Sequence, residues 1–437
     1  MSELKHYHDE EEGHVHYHGV DKAEEHISVD QALEIFLAQI TPVRSEYVVL
    51  ADAIRRVAFE DIKSPLNLPG LVRATRDGFA LRFSGEEAPA KTSFSIVGDM
   101  PIGVLPNISL EKGEAVRIAT GSFVPEGASA VLMKEYASAE GNSLVMERSL
   151  RIGENILQPG ADIAKGKTVV NKGSVLLPTQ IALLAMLGRT KVKVFRRPRI
   201  AFFSTGDELV DPLKGSSSKA KKPRIYDANR PFIASMLETL GAEPVDLGIA
   251  KDNFESIRSK MLHELPRFDG LILSAGSSVG ERDFVTRAEE SIKGLKVLVH
   301  GVAMRPSSPT GLAIYRVKPF ISLPGFPTSA IVSFFVFARP AISKLAGRAI
   351  LEDYPLVRAK ILDDHSGKSG IRYFLRVKVT RDNNGEYLAN IVRPSEAQYS
   401  SWLSEANGIA VISEEKGSAK ANDEVSVLLF GSVPVTA

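Results

Sequence analysis

Short apolar runs followed by polar, glycine-bearing loops recur in the second half of the chain. The runs at 200–203, 271–273 and 320–323 have the pattern of buried parallel strands. Apolar residues at helical spacing predict helices between and after these strands, at 230–240, 254–262, 284–292 and 329–345. Alternating strands and helices predict an α/β domain over residues 198–347.

The flanking regions have different patterns. Residues 29–40 form an amphipathic helix pattern behind Ser28 and Gln31, which match a capping box. Proline and glycine punctuate residues 43–197 and predict short strands and turns, with one helix that begins at Pro178. Beyond residue 348, apolar runs predict the strands of a small β-barrel, at 357–362, 373–379, 387–391, 409–412 and 425–428.

Composition excludes several function classes. A length of 437 residues predicts two to four domains, and 44% apolar with 24% charged residues is typical of soluble globular proteins. The net charge of +1 gives no reason to expect nucleic-acid or membrane binding. The chain has no cysteine, which excludes disulfides and thiol chemistry and is consistent with a cytoplasmic protein. No apolar run reaches the roughly 18 residues of a membrane span, and the acidic N-terminus argues against a secretory signal.

Residues 1–26 predict a disordered tail, because histidines alternate there with acidic residues. Three interpretations stay open: capture of divalent metal ions, a solvated tail with incidental metal affinity, and an expression tag. The histidines are His6, His8, His14, His16, His18 and His26.

The three glycine-bearing loops predict a site for a phosphorylated ligand. Parallel sheets bind ligands at the carboxyl ends of their strands, where small residues expose backbone N–H groups to anionic oxygens. The loops follow the strands at 204–208, 274–280 and 324–329. The candidate ligand-binding residues in them are Ser204, Thr205, Gly206, Ser274, Gly276, Ser277, Ser278 and Gly325.

Charged residues near these loops suggest a cation and an anion. Asp207 and Glu208 can hold Mg²⁺, although helix capping or solvation explains them equally well. Asp283 is a third candidate cation ligand, or the cap of a helix that begins near Phe284. Arg305 suits a phosphate or an anionic metal oxide.

The first half of the chain offers weaker signals. The stretch 73–80 contains Asp77 between arginines and a glycine, and the stretch 117–121 contains Thr120. Each pattern fits an ordinary turn as well as an anion site. No Ser-His-Asp set, P-loop or dinucleotide pattern is found in the sequence.

Together these motifs resemble the molybdenum insertases, the molybdopterin molybdenumtransferases that include the E-domain of gephyrin. The resemblance covers roughly residue 28 to the C-terminus, and it is most specific at 204–209, 225–230, 274–283 and 324–329. The stretch Asp77-Gly78-Phe79-Ala80 is similar to the family's Asp-Gly-Tyr-Ala signature.

The resemblance implies a mixed, multidomain fold. Residues 27–64 and 151–197 would form an elongated linker domain and 65–150 an inserted β-rich domain. Residues 198–347 would form a three-layer α/β molybdopterin-binding domain and 348–437 a C-terminal β-barrel.

The resemblance also implies a reaction. A homodimer would take adenylylated molybdopterin and molybdate, insert the metal and release AMP with the help of Mg²⁺. Catalytic roles would fall to Asp77 of a partner subunit, Glu208, Asp283 and Arg305, and metal ligation to Asp207, Glu208 and Asp283. Thr120 and Asp162 match positions near the cleft.

Departures from the family pattern keep other functions open. Ser307 and Ser308 replace a glycine and a lysine, and Gly301 replaces a basic residue. A tungstate-inserting paralogue, a molybdopterin adenylyltransferase and a non-catalytic pterin-binding scaffold are the alternatives.

Overall fold

The computed structural model describes residues 26–212, 225–275, 279–349, 355–392 and 401–435, with only the backbone for 279–283. The chain forms two compact units, which we call the inserted unit (Tyr47–Val194) and the main unit (Met1–Glu46 with Phe195–Ala437). This division is coarser than the four domains expected from the sequence, so those boundaries remain a prediction. The tail 1–25 lies outside the described residues.

The first helix, α1, spans Val29–Ala38 in the main unit. Its N-terminus carries the predicted capping box, in which the Ser28 side chain accepts from the Gln31 amide and the Gln31 side chain accepts from the Ser28 amide. Val29, Ala32 and Phe36 are buried at helical spacing. Both the helix and its cap therefore follow from local sequence and are confirmed.

The inserted unit is rich in β-structure, as the sequence predicted. Its largest sheet has the strand order β8-β4-β7-β6-β10-β9, and shorter pairs join β1 to β14, β2 to β13, β3 to β12 and β5 to β11. Its helix α2 (Pro178–Met186) begins with Pro178 at the first position, as predicted. The strands are β1 (Ser45–Val49), β2 (Ile62–Lys63), β3 (Arg73–Ala74), β4 (Gly78–Leu81), β5 (Glu87–Ala88), β6 (Ser93–Met100), β7 (Glu114–Ile118), β8 (Ala130–Met133), β9 (Ala137–Glu140), β10 (Ser143–Met146), β11 (Leu150–Arg151), β12 (Ile156–Leu157), β13 (Thr168–Val170) and β14 (Lys191–Phe195).

The main unit contains the predicted α/β domain. Its sheet has the order β18-β15-β19-β23-β22-β20, in which β18, β15, β19 and β23 are parallel and β22 is antiparallel to both of its neighbours. The strands are β15 (Arg199–Thr205), β16 (Leu209–Val210), β17 (Ile225–Tyr226), β18 (Glu243–Ala250), β19 (Gly270–Ala275), β20 (Leu295–His300), β21 (Met304–Arg305), β22 (Gly311–Tyr315) and β23 (Lys318–Pro324). The first helices are α3 (Asn229–Thr239), α4 (Phe254–Glu264) and α5 (Val279–Ser291).

The sheet has apolar layers that helices cover. Phe203 and Leu271 pack in one core with Met261 of α4 and Ala288 of α5. Helix α3 contacts β15 and β18. The helices at 230–240, 254–262 and 284–292 are confirmed, but α5 already begins at Val279 rather than near residue 284.

The long predicted helix at 329–345 is confirmed and starts two residues earlier. It consists of α6 (Pro327–Ser333), a π-helical segment (Phe334–Ala338) and α7 (Arg339–Leu345). Pro340 has no amide hydrogen to continue the α-helical bonding, which explains the wider turn before it. This helix is long and apolar enough to cross a membrane, but 89% of it is buried within the protein, as in the core helix of a globular domain.

The C-terminal part of the main unit is a closed barrel of five strands. Every predicted barrel strand is present, and pairing of β25 with both β26 and β27 closes the barrel. The elements are β24 (Leu356–Ile361), β25 (Arg372–Arg381), β26 (Tyr387–Ile391), α8 (Trp402–Glu405), β27 (Gly408–Ile412) and β28 (Glu424–Leu429). The mixed multidomain fold is therefore confirmed.

Gly78 provides a test of packing in the inserted unit. It has a φ of +156°, and a Cβ there would lie 1.8 Å from the Leu132 carbonyl oxygen of β8. We expect Gly78→Ala to destabilise this unit by about 3 kcal/mol, because two paired strands must separate. Calorimetric unfolding measures the effect.

Gly85→Ala is the matched control. Gly85 also has a positive φ, of +88°, but nothing lies within 4 Å of its added Cβ. It should cost only about 1 kcal/mol of backbone strain. Equal losses in the two variants would contradict the steric explanation.

Candidate functional site

Two buried hydroxyl groups lie at the carboxyl end of β15. Ser204 and Thr205 are only 1% and 3% exposed. Neither hydroxyl oxygen has a hydrogen-bond partner among the described residues. Buried polar groups normally have partners, so two unpartnered hydroxyls at the end of one strand indicate a place for a polar ligand.

The loop after β15 presents two carboxylates. Gly206 has a φ of +148°, and a Cβ on it would lie 2.7 Å from the Glu208 carboxylate. Only glycine fits this position, which lets the side chain of Glu208 fold back over the loop. Asp207 and Glu208 are both exposed, and Asp207 accepts a hydrogen bond from the Asp252 amide at 3.3 Å.

Asn229 connects the second and third loops. It is 6% exposed, and its side-chain nitrogen donates to the Ser274 hydroxyl at 2.8 Å and to the Gly325 carbonyl at 2.7 Å. Ser274 lies near the end of β19 and Gly325 directly after β23. One side chain thus fastens two of the predicted ligand-binding loops to the start of α3.

A buried arginine holds the start of α3. Arg230 is 3% exposed and contacts Asp211, Asp227 and Asp246 at 3.1, 2.9 and 2.7 Å. Burial disfavours the charged guanidinium, but the hydrogen bonds that it donates to these carboxylates outweigh that cost and raise the pKa of Arg230. The carboxylate of Asp227 also accepts from the backbone amides of Asn229 and Arg230, the first two residues of α3.

Local contacts between β20 and β22 fit the residues that depart from the family pattern there. Ser307 adopts a φ of +86°, and its hydroxyl donates to the Ser329 carbonyl at 2.6 Å. A Cβ added to Gly301 would lie 3.0 Å from the His26 ring. Serine therefore keeps a backbone conformation that favours glycine, and an imidazole fills space that a side chain at 301 would need. Arg305, in β21, is exposed and its strand pairs with β25 of the barrel.

Asp77 and Thr120 meet in the inserted unit. Asp77 accepts from the Thr120 amide and hydroxyl, both at 2.8 Å, and lies 3.9 Å from the Lys134 amine. The two bonds from Thr120 hold the pKa of the Asp77 carboxyl below its usual value. Asp77 borders an open cavity of about 480 Å³ that Arg117 and Asp99 also line.

The other predicted residues are less informative. Asp162 is exposed in the inserted unit, where its amide donates to the Leu68 carbonyl. Gly276, Ser277 and Ser278 lie outside the described residues, as does the side chain of Asp283. The alternative role of Asp283 as a helix cap is wrong, because it lies inside α5. In the part of the chain that is described, no three His, Asp or Glu side chains form a metal site.

Sequence reasoning missed the role of Asn229 and the charge network of Arg230. The stretch 225–230 was noted only for its resemblance to the family. The adjacent polar residues Asn229 and Arg230, shortly after Asp227, were the available signal. Their partners Ser274, Gly325 and Asp246 are distant in sequence, so local pattern does not reveal them.

Comparisons with known proteins assign three regions of the chain. Residues 27–188 match the MoeA N-terminal region (domain I and II), 201–344 a probable molybdopterin binding domain, and 358–430 the MoeA C-terminal region (domain IV). The fold and its loops thus define a multidomain protein built around an α/β domain of the molybdopterin-binding class.

Relatives cover nearly the whole length. A molybdopterin molybdenumtransferase of Haemophilus influenzae is 31% identical over 92% of this chain and 98% of its own. One of Nostoc is 33% identical over 70% of each. A solved molybdopterin biosynthesis MoeA protein from Pyrococcus horikoshii has a TM-score of 0.78 at 31% identity, covering 93% of this chain and 100% of that one. The chain belongs to the MoeA family of molybdopterin molybdenumtransferases.

The pair of Asp77 and Thr120 yields a prediction about pH. We expect Thr120→Val to raise the Asp77 pKa towards its ordinary value, because one of two hydrogen bonds to the carboxylate is lost. The stabilisation from ionised Asp77 is present above about pH 4 and disappears as the pH falls through the lowered pKa. Carbon-13 NMR titration, assigned with Asp77→Asn, measures the shift.

Thr120→Ser is the control for this titration. It retains the hydroxyl donor, so Asp77 should titrate as in the unmodified protein. An unchanged Asp77 pKa in Thr120→Val would show that the hydroxyl bond does not favour the carboxylate.

Proposed function

We propose that this protein inserts molybdate into adenylylated molybdopterin and releases AMP, as a step of molybdenum cofactor biosynthesis. The observation that carries the proposal is the pair of unpartnered hydroxyls of Ser204 and Thr205 beside the carboxylates of Asp207 and Glu208. Hydroxyl donors suit phosphoryl oxygens, and the carboxylates suit a cation that accompanies them. A pterin–nucleotide phosphoanhydride offers both.

Mg²⁺ is the cation that best fits these residues. It is commonly bound by one or two carboxylates together with substrate phosphates, rather than by a cage of protein ligands alone. Asp207 and Glu208 supply two exposed carboxylates. When bound, Mg²⁺ would neutralise charge on the phosphoanhydride. Asp283 remains a proposed third ligand.

The chain's own groups would position the substrates. Ser204, Thr205 and Ser274 would donate to phosphate oxygens at the ends of β15 and β19. Water then breaks the bond between the two phosphates, and AMP leaves. The exposed guanidinium of Arg305 would attract molybdate, a divalent anion.

We further propose a homodimer in which Asp77 and Thr120 of one subunit serve the cleft of the other. The proposal follows from the resemblance to the molybdenum insertases. Asp77 and Thr120 lie in the inserted unit, whereas Ser204 and Glu208 lie in the main unit. The lowered pKa of Asp77 keeps its carboxylate ionised, so that it can bind a cation or accept a hydrogen bond. The proposed reaction and the composition of the chain are both consistent with a cytoplasmic protein that binds neither nucleic acid nor membrane.

Incubation with adenylylated molybdopterin, Mg²⁺ and molybdate tests the function, with AMP followed by chromatography. Release of AMP together with metal-loaded pterin supports it. Parallel reactions with tungstate identify a tungstate-inserting enzyme, and reactions with molybdopterin and ATP identify an adenylyltransferase. Binding of the pterin without any turnover would favour a scaffold and refute the proposal.

Removing the carboxylates should abolish most of this activity. We expect Asp207→Asn and Glu208→Gln each to slow AMP release by about 100-fold, because charge stabilisation by the cation is lost. Glu238→Gln is the matched control, since Glu238 is exposed at the far end of α3. Full activity of Glu208→Gln across a Mg²⁺ titration would rule out the assigned cation site.

Mixed subunits test the shared cleft. Asp77→Asn and Glu208→Gln should each be inactive alone, but equal mixing after subunit exchange should restore about a quarter of the original activity. Half of the dimers then contain both kinds of subunit, and each of these has one intact cleft. A mixture that stays inactive, although light scattering shows exchanged dimers, would contradict the arrangement.

A further inference from the structure

We propose that Asn229 is a positioning residue for the phosphate end of the substrate. Its side-chain amide holds the ends of β19 and β23 together and orients the Ser274 hydroxyl as a donor to the ligand. The substrate itself rests on the proposed function, whereas the geometry of Asn229 does not.

The orientation of the amide group is fixed by its partners. The Asn229 nitrogen donates to the Ser274 hydroxyl and to the Gly325 carbonyl, which uses both of its hydrogens. A flipped amide would set its oxygen against the Gly325 carbonyl, where two acceptors repel each other. Asn229 is almost completely buried, so water does not compensate for either bond.

The bond from Asn229 determines what Ser274 can do. Since the Ser274 oxygen accepts from Asn229, its own hydroxyl hydrogen remains available to a ligand. Ser274 is the register partner of Ser204 on the neighbouring parallel strand, so the two side chains lie on the same face of the sheet. The Ser204 hydroxyl has no partner among the described residues. Two adjacent hydroxyls therefore point to one phosphoryl group.

The backbone at Asn229 is held in place by contacts at the start of α3. Asp227 accepts from its backbone amide at 3.0 Å, and the next residue is the buried Arg230 with its three carboxylates. These contacts hold the start of α3 in place, so α3 is not expected to shift and fill the space left by a truncated Asn229 side chain. If the amide is removed, we expect the second and third loops to move independently.

The third loop also connects to a spectroscopic probe. Thr328, three residues after Gly325, accepts from the indole nitrogen of Trp402 at 2.8 Å. Trp402 is the only tryptophan of the chain. We therefore expect its fluorescence to respond to ligand binding at the third loop, independently of turnover.

A control must separate positioning from general stabilisation. Asp269 directly precedes β19, at the end of the strand opposite to the loops. It accepts two bonds from Arg196 at 2.7 and 2.5 Å and one from the Arg199 amide at 2.8 Å. Asp269→Asn removes the negative charge and one of the two acceptor oxygens at the start of the same strand, far along it from the loops. It should lower the melting temperature and leave the substrate site unaltered.

The experiment compares Asn229→Ala and Asn229→Asp with Asp269→Asn. Both Asn229 variants should raise the KM for adenylylated molybdopterin and the Kd for AMP about 10- to 100-fold, because each loses two hydrogen bonds that shape the site. Asp269→Asn should change neither constant by more than about twofold. Trp402 fluorescence measures AMP binding, and hydrogen exchange should rise at 274–275 and 325–328 only in the Asn229 variants.

The outcomes distinguish the two proposals. If the unmodified protein releases no AMP, the proposed function fails, while hydrogen exchange and AMP binding still decide the role of Asn229. If Asn229→Ala and Asp269→Asn change KM, Kd and hydrogen exchange equally, Asn229 is only structural and the inference is overturned. Asn229→Ser retains one donor and serves the same comparison if Asn229→Ala does not fold.

Discussion

The buried positive charge of Arg230 is the constraint on which the proposed ligand site depends. A guanidinium removed from water is costly unless carboxylates surround it, and three of them do so at the start of α3. One of the three, Asp227, also accepts from the first two backbone amides of the helix, so the same side chain compensates the charge and holds the first turn. This fixed start places Asn229 between the ends of β19 and β23, and with it the loops that form the proposed site.

Local sequence was sufficient for most of the architecture. The capping box at Ser28, the proline that starts α2 and the five barrel strands all depend on residues close in sequence, and each was confirmed. The start of α5 was wrong, because Asp283 looked like a cap although the helix already contains it. A capping residue inside a helix has the same composition as one at its end, so pattern alone does not separate them.

The site was only partly predictable for the same physical reason. Glycine and hydroxyl residues after apolar strands marked the loops, and the loops lie where parallel strands end. The bonds that join them link residues far apart in sequence, such as Asn229 with Gly325 and Asp77 with Thr120. The conformation at Ser307 also depends on a distant residue, since this serine keeps its unusual backbone conformation through a bond to Ser329.

The split sequence of the main unit has a consequence for how the protein is made. Helix α1 packs against α7, and the Lys344 amine donates to the Leu37 carbonyl, but the whole inserted unit separates these partners along the chain. A ribosome adds about 5 to 20 residues per second, so the apolar face of α1 waits on the order of 20 seconds or more for its partner. During that interval the emerging N-terminus depends on its own polar face, and on cellular chaperones, to stay out of aggregates.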